Sequence, residues 1–585
     1  MADINFPNPP LTTGQEFAPY MWDGVKWVVN TVSGGNAFIQ AGSGAVTRTM
    51  QDKAREPVSV RDFGATGDGS PLINGTGTDA RQAFLNAKAV SWRVLVPPGS
   101  YRIASDLSLD CELVLPIGAY ICPDAGVTVT FFNPIYAGGF RIFGNFGTIR
   151  GLKQVYPEWW GAARDGTTDD APAIKKAQIC AESSLGSFGG GSTTIQFSKG
   201  TYAIGSQIVC TASNVNWAGV GSNKLTGTIL RPLAAWTGPL VAIQIQRNSD
   251  LRAEPVGDFS SFVVSPQTPG SGPLVGIQIG KEGEAGTDPF HGGGYQQSTL
   301  FEDVAVEEFR TCWYICNSRF FHFRRCSGWL QTITDSTCLK IAATNQTTGD
   351  LDFYRFDAAA TTARSLCLEI LATGGKAVAG IGFHALVMYN GEVHIFATTS
   401  GQIFDIWFTP RWQLDATPGK GITIAADGAA TFIRNVNFTG GHYAMSAPGG
   451  QAFTIYATNN ARISTIQIDK NYFLGTTAPE VITVSRVMGI SISGNEFADH
   501  YTNVPANSGA AVIRFTFCYG VHVEGNYIAG SYNGSTPRTN NFIINDGGSD
   551  YYVIRNNMSL GYCTNAAVVD STPGTYKIID GNLPP

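Results

Sequence analysis

STIQIDKNYF (464–473), GISISGNEF (489–497), GVHVEGNYI (520–528), YYVIRNNMSL (551–560) and YKIIDGNL (576–583) are five versions of one phrase. In each, apolar and polar residues alternate, so one set of side chains faces inward and the other outward. The Gly-Asn or Asn-Asn pair that follows suits a tight corner needing φ > 0. The asparagines at 471, 495, 526, 557 and 582 stand 24, 31, 31 and 25 residues apart. Strand, corner and strand at that period describe a coiled β solenoid, in which each turn buries its apolar face only against its neighbours. Asparagines stacked at equivalent corners would satisfy backbone groups along the coil, so they read as structural.

The same pattern extends upstream. NVNWAGVGSNKLTGTIL (214–230) reads as one turn of the coil. Before it stands a duplicated entry. VSVRDFGATGDG (58–69) leads through Thr78 and Asp79 to the helical stretch DARQAFLNAKAV and the turn VPPGSYRI (96–103). PEWWGAARDG (157–166) leads through Thr168 and Asp169 to DAPAIKKAQICAES and IQFSKGTYAI (195–204). Both copies run Asp-Gly, capping Thr or Asp, amphipathic helix, then Gly-x-Tyr turn; Pro172 sits in the first helical turn, where proline is tolerated. Asp68, Asp79, Asp165, Asp169 and Asp170 flank helix starts, where a carboxylate accepts backbone N–H bonds, and are read as structural rather than catalytic.

Apolar residues make up 43% of the 585 and charged residues only 14%, with 69 glycines, a profile that fits all-β architecture with many turns. The net charge of −6 and the lack of any Lys/Arg block argue against nucleic acid. No apolar run approaches the roughly 18 residues of a membrane helix, and MADINFPNPP has neither the basic nor the apolar part of a signal peptide. The expectation is synthesis in a cytoplasm without export by a signal peptide, and no membrane insertion. Eleven scattered cysteines read as buried thiols; Cys312 and Cys316 have no second pair or His to complete a zinc set, so no metal or other cofactor is expected. Residues 1–45 read as a small aromatic module with a Gly/Ser/Ala-rich linker, and VTRTMQDKARE within 46–57 as a short neck helix stopped by Pro57.

VSVRDFGATGDG…TDARQAF and PEWWGAARDGTTDDAPAI, preceded by VTRTMQDKAREP, resemble bacteriophage tailspike proteins of the pectate-lyase-like superfamily. FPNPPLTTGQ…WDGVKW is similar to the small N-terminal segment of many phage tail fibres and spikes. The resemblance covers about 1–230 and 430–585. It departs from the family in the insertion SPLINGTG between Asp68-Gly69 and Thr78-Asp79, and the stop at NLPP would leave no room for the large C-terminal trimerising domain that many relatives carry. It implies a right-handed parallel β-helix and a homotrimer. It also implies an N-terminal part (1–45) attaching to a phage tail, baseplate or adaptor protein, and action on capsule or lipopolysaccharide O-chain at the host surface. The first copy would open a short stub over 58–154, and the second the main helix over 155–585.

Glycosidic hydrolysis needs two carboxyl groups about 5–5.5 Å or about 6.5–9.5 Å apart. Turns of a parallel β-helix are spaced roughly 4.8 Å, so outward acids on stacked strands fall near either distance. Outward acids beside aromatic residues are richest between 299 and 412. In LDFYRF, Leu351 and Phe353 point in and Asp352 and Tyr354 out. In GEVHIF, Val393 and Ile395 point in and Glu392 and His394 out. In IFDIWF, Phe404 and Ile406 point in and Asp405 and Trp407 out, with Trp412 shortly after. Asp352, Glu392 and Asp405 are the candidate catalytic acids, with Tyr354, His394, Trp407 and Trp412 lining a sugar-binding surface. Each acid also reads as an ordinary solvated residue. A second patch, WYICNSRFFHFRRCSGW (313–329), offers His322, Arg324 and Trp329 to acidic sugars, where an Arg, His or Tyr beside a neutralised carboxylate would serve β-elimination. Those cations would otherwise pair with Asp303, Glu307 and Glu308. Three functions stay open: hydrolase, lyase, and a receptor-binding spike that does not cut.

Overall fold

The computed structural model describes residues 57–183, 193–210, 215–243, 257–281, 299–330, 333–360, 364–415, 421–444, 451–475, 480–498, 509–529, 539–571 and 574–583, together with the backbone of five short strands before residue 50. Three of these strands, Glu16–Phe17, Tyr20–Trp22 and Trp27–Val29, form an antiparallel sheet, and Ala37–Phe38 pairs antiparallel with Arg48–Thr49. The last of these falls inside the segment expected to be a neck helix. The run Val46-Thr47-Arg48-Thr49 is rich in β-branched residues, whose stiff χ1 favours extended backbone. The rest of that segment, 50–56, and the aromatic side chains of the N-terminal module lie outside the described residues.

Two compact units divide the chain: Met1–Gly138 with Ile142–Ile149, and Gly139–Arg141 with Arg150–Pro585. In the first, parallel pairs stack in register: Arg93–Leu95 on Glu112–Val114, Gly99–Ile103 on Ala119–Pro123, and Leu107–Leu109 on Thr128–Phe131. Three strands per turn, each hydrogen-bonded to its counterpart one turn on, make a short parallel β coil. Val94, Tyr101, Ile103, Leu107, Leu113, Ile121 and Val129 fill its interior.

The second unit is a long parallel β-helix. A 23-stranded parallel sheet carries two of its faces and a 13-stranded sheet the third. Where a strand such as Thr348–Ala360 spans the first two faces, its middle residue turns the corner in the left-handed region. That residue recurs turn after turn at equivalent positions: Ser261, Asp303, Arg325, Arg355, Ala385, Arg411, Gly440, Lys470, Gly494, Gly525, Asn556 and Gly581, with φ between 52° and 82°. Glycine holds only some of these positions, so most corners carry strain that the stacked turns on either side must offset.

Immediately after this corner comes the asparagine ladder. The Oδ1 of Asn495 accepts from the N–H of Asn471 (2.9 Å), that of Asn526 from Asn495 (3.0 Å), that of Asn557 from Asn526 (3.1 Å), and that of Asn582 from Asn557 (3.1 Å). Each Nδ2 donates to a strand carbonyl: Asn471 to Phe438, Asn495 to Ile468, Asn526 to Ile492. Asn471, Asn495, Asn526 and Asn557 are buried. The residue in the left-handed region is the one before each asparagine, while the asparagine itself faces inward.

Inside the first face, Phe301, Phe323, Phe353, Phe383, Phe408 and Phe438 stack on successive turns at centroid separations of 5.1, 4.5, 5.0, 4.7 and 4.2 Å. Burying each ring is worth roughly 1.5–3 kcal/mol. All eleven cysteines are buried free thiols, as read from the sequence.

The duplicated entry is real in structure as well. The 3-10 turns Val60–Phe63 and Pro157–Trp160 each end on a left-handed glycine, Gly64 and Gly161. Each meets the buried tyrosine of its own Gly-x-Tyr strand: Arg61 Nε donates to Tyr101 Oη (3.1 Å), and Tyr202 Oη to Glu158 Oε1 (2.6 Å). The aspartates bind backbone. Asp68 accepts from Thr78 N, and Asp165 from Thr167 N and Thr168 N. Asp170, buried, accepts from Ala163 N and Arg164 N. Asp79 and Asp169 each hold the first helical amide (Arg81, Ala171) and an amide of the later strand (Ala104, Gly205). They thus tie helix to coil rather than capping at the N-cap, which in the first copy is Ala80.

Asn526→Ala should leave the buried amide of Asn495 unpaired and lower unfolding stability by about 3 kcal/mol, read in denaturant titration. Asn582→Ala, at the half-exposed last rung, should cost less. The amides of Thr168 and Thr167 hold the Asp165 carboxyl well below the usual carboxylate range. An acid whose pKa is lower folded than unfolded adds stability that is complete above about pH 4 and fades as pH falls toward the folded value. Asp165→Ala should therefore be destabilised at pH 7, and the gap from the parent should close in acid, followed by thermal unfolding at each pH.

Candidate functional site

The phenylalanine stack sets two rows of outward residues on the first face, one on each side of it. One row reads His322, Asp352, Gly382, Trp407, and the other Glu302, Arg324, Tyr354, His384. Strand spacing alone, about 4.8 Å per turn, therefore brings these groups together. His384 Nε2 lies 3.4 Å from Asp352 Oδ1, and His322 Nδ1 3.3 Å from Asp352 Oδ2. Thr409 Oγ1 meets His384 Nδ1 at 3.1 Å. The Tyr354 ring stacks on His384 at 4.8 Å with an interplanar angle of 16°.

Gly382 makes the cluster possible. A Cβ there would stand 2.7 Å from Asp352 Oδ1 and 2.8 Å from His384 Nε2, so the carboxylate and the imidazole meet over a position that carries no side chain. A carboxylate between two imidazoles, with a phenol stacked on one of them, can orient a ring nitrogen and move a proton. Aromatic surface surrounds it: Tyr354 is 45% exposed and Trp407 38% on the first face, Trp329 42% and Tyr389 49% on the second. Sugar rings present apolar faces that stack on such rings.

The remaining sequence-predicted residues go elsewhere. Glu392 and His394 are joined at 3.1 Å, but they stand on the third face, in the 13-stranded sheet. There Glu369 pairs in register with His394 and is held by Lys340 Nζ at 3.1 Å. Asp405 occupies a left-handed position (φ 60°) and accepts from Asn435 Nδ2. It stands two turns beyond Asp352 and two residues along, about 12 Å by strand spacing. The three candidate acids are thus not gathered at one point. The break at Asp405 also inverts its neighbour: Phe404, expected inward, is half-buried outside, under the Arg434 guanidinium at 5.1 Å. Trp412, expected to line the sugar surface, is fully buried. It holds the place one rung above Gly441 and Asn471, at the head of the asparagine ladder, and Gly441 is bare because a Cβ would strike the indole at 2.0 Å.

Of the pairings expected for the Arg patch, the one with Asp303 forms and the one with Glu307 does not. Arg325 forks onto Asp303 (2.7 Å) and reaches Glu302 (3.1 Å), Arg324 also faces Glu302 (3.4 Å), and Arg319 Nε donates to Asp350 (2.7 Å). Glu307 pairs with Lys224 instead. His384 escaped the sequence reading because its partner, Asp352, is 32 residues away. Asp357 escaped too; burial raises its carboxyl pKa on the second face, next to the row of Trp329 and Tyr389. Among the described residues no group of three or more His, Cys, Asp and Glu could hold a metal ion, and no helix is long and apolar enough to cross a membrane.

Gly382→Ala should separate His384 from Asp352 while keeping the fold, because Gly382 is not among the left-handed glycines. A changed His384 ring resonance in NMR with an unchanged circular dichroism spectrum is the expected outcome.

No protein-family model and no curated protein matches the sequence. Solved structures do share its folding pattern. One is the Dettilon tailspike protein, at 12% identity over 72% of this chain and 69% of that one, with a TM-score of 0.44. Another is the A-module of a mannuronan C-5 epimerase from Azotobacter vinelandii, at 15% identity over 74% of this chain and 99% of that one, with a TM-score of 0.40. A third is PfbA, a surface adhesin of Streptococcus pneumoniae, at 11% identity over 72% and 100%, with a TM-score of 0.37.

Proposed function

We propose that this chain is a phage tailspike that binds a bacterial surface polysaccharide through its first face and cleaves it with the cluster around Asp352. The duplicated entry motif and the solenoid that follows support the tailspike part, as does the N-terminal segment, which would join it to a tail, baseplate or adaptor protein. The spike would assemble as a homotrimer, travel in the virion and act at the host surface. The observation that carries the cleavage part is the meeting of Asp352, His322 and His384 over Gly382, flanked by the exposed rings of Tyr354 and Trp407.

The composition of the cluster favours β-elimination. A lyase needs a cation to neutralise a uronate carboxylate, a base for the α-proton and an acid for the leaving oxygen. Arg324 stands one turn from Tyr354 in the same row, and His384, oriented by Asp352, is the base, with the Tyr354 phenol as proton donor. The carbanion-like charge collects on the neutralised carboxyl, the glycosidic C–O bond breaks, and the proton on the leaving oxygen completes the balance. Hydrolysis is the second reading, favoured by a different observation. Glu369 and Glu392 are diagonal neighbours on adjacent turns of the third face, about 8 Å apart by strand spacing, within the range of an inverting pair. A spike that binds without cutting would need only the aromatic surface.

Incubating the full-length protein with host capsule and lipopolysaccharide separates the three. New reducing ends with the ultraviolet absorbance of an unsaturated uronate, lost by at least about 100-fold in His384→Gln and Asp352→Asn, are expected. Reducing ends without that absorbance, lost in Glu369→Gln or Glu392→Gln, would move the reaction to the third face. Binding with no new ends would leave an adhesin.

A further inference from the structure

Beyond the Asp352 cluster, the first face carries a second charged feature. On the turns that follow, its leading edge alternates arginine with aromatic rings. One row reads Phe404, Arg434, Ser464, Met488, Tyr519. Two residues before it in each strand runs Gln402, Phe432, Arg462, Arg486, Phe517, the last two standing two residues ahead of the register partners Met488 and Tyr519. Arg434, Arg462 and Arg486 thus occupy three consecutive turns, with Arg462 and Arg486 one turn, about 4.8 Å, apart.

All three are exposed, and among the described residues no carboxylate lies within ion-pair distance of any of them. Arg102, Arg319, Arg325, Arg514 and Arg555, by contrast, each hold an acid partner. The nearby acids are engaged elsewhere: Asp405 accepts from Asn435, and Asp550 from the amides of Tyr551 and Tyr576. Like charges on three successive turns of one sheet repel each other, and among the described residues no acid is paired with them.

What neighbours them is aromatic. Arg434 lies over Phe404 and Phe432 at 5.1 and 5.4 Å, and Arg486 over Phe517 at 5.9 Å. Phe517 is 55% exposed, and Gly548 is bare beneath it, since a Cβ would strike its ring at 2.3 Å. Exposed Tyr519 continues the row, and exposed Tyr551 stacks on Tyr576 at 4.6 Å. Planar guanidinium groups pair with carboxylates in a fork, and aromatic faces take sugar rings; an extended chain of acidic sugars asks for both in alternation.

We propose that the stripe of Arg434, Arg462 and Arg486, with Phe517 and Tyr519, is a binding site for an anionic polysaccharide, running along the coil away from the Asp352 cluster. It deepens the reading above by naming the charge of the polymer, and rests on that reading only for the polymer being a polysaccharide. Nucleic acid fits less well, because the chain as a whole carries a net charge of −6 and would repel a polyphosphate beyond this stripe.

Affinity electrophoresis and calorimetry on the full chain would use polygalacturonate as a carboxylate polymer, polyphosphate as a phosphate polymer, dextran as a neutral one and duplex DNA. Polygalacturonate should bind, with affinity falling as salt is raised, and dextran should not. Arg434→Gln, Arg462→Gln and Arg486→Gln should each weaken polygalacturonate about tenfold, the loss of one charge-assisted contact. Replacement by lysine should keep the salt dependence. Binding of polyphosphate in preference to polygalacturonate would still support the stripe and assign it to phosphate-bearing glycans. Unchanged polygalacturonate binding in the triple glutamine variant would overturn the proposal, as would equal retention of DNA. A shift in sedimentation of that variant would also overturn it, by placing the arginines between copies of the chain. None of these readouts involves cleavage, so a failed cleavage assay leaves this test standing.

Discussion

From Ser261 onward one constraint governs the long unit: each turn bends its backbone through the left-handed region at the same place. The corner between the first two faces repeats this from Ser261 to Gly581, using Ser, Asp, Arg, Ala, Lys, Asn and Gly alike. A lone non-glycine residue in that region is a cost of order 1–3 kcal/mol when nothing around it demands the conformation. Here the turn above and the turn below demand it, because a missed corner would shift one strand by a residue and turn its buried side chains outward. Register and corner are thus one property.

From that property the interior follows. With corners aligned, like residues fall on like, so phenylalanines stack from Phe301 to Phe438, and asparagines hand their Oδ1 to the amide of the turn before from Asn471 to Asn582. Polar groups at the bend would otherwise lie buried and unpaired, and the ladder satisfies them at every rung. The outward surface inherits the same order. Asp352 and Tyr354 share one strand and His384 stands on the next, 32 residues beyond Asp352, and their meeting needs no dedicated loop.

Much of this was legible in the chain. Alternation in LDFYRF and GEVHIF correctly sends Leu351, Phe353, Val393 and Ile395 inside, and the spacing of the asparagines announces the ladder. The helix-flanking aspartates read as backbone ligands and are so. Reading alternation straight through IFDIWF fails, because Asp405 is itself a left-handed bend and the count of inward and outward restarts after it. Trp412 fails for a related reason: it follows the left-handed Arg411 and so takes the inward rung that asparagines fill lower down.

That the chain coils, where its entry motif is doubled, and which residues stay inside regular strands can all be read along the chain, because period, alternation and turn chemistry are local. Which outward residues meet depends on the folded coil. Glu392 and Asp352 look alike in sequence, yet one stands on the third face and the other on the first, since the number of residues spent at each corner sets the face on which the next strand lands. The partnership of His322, Asp352 and His384, the bare floor at Gly382 and the row of arginines among aromatic rings are relations between turns, and contacts across turns are fixed by register, a property of the assembled coil that no single strand contains.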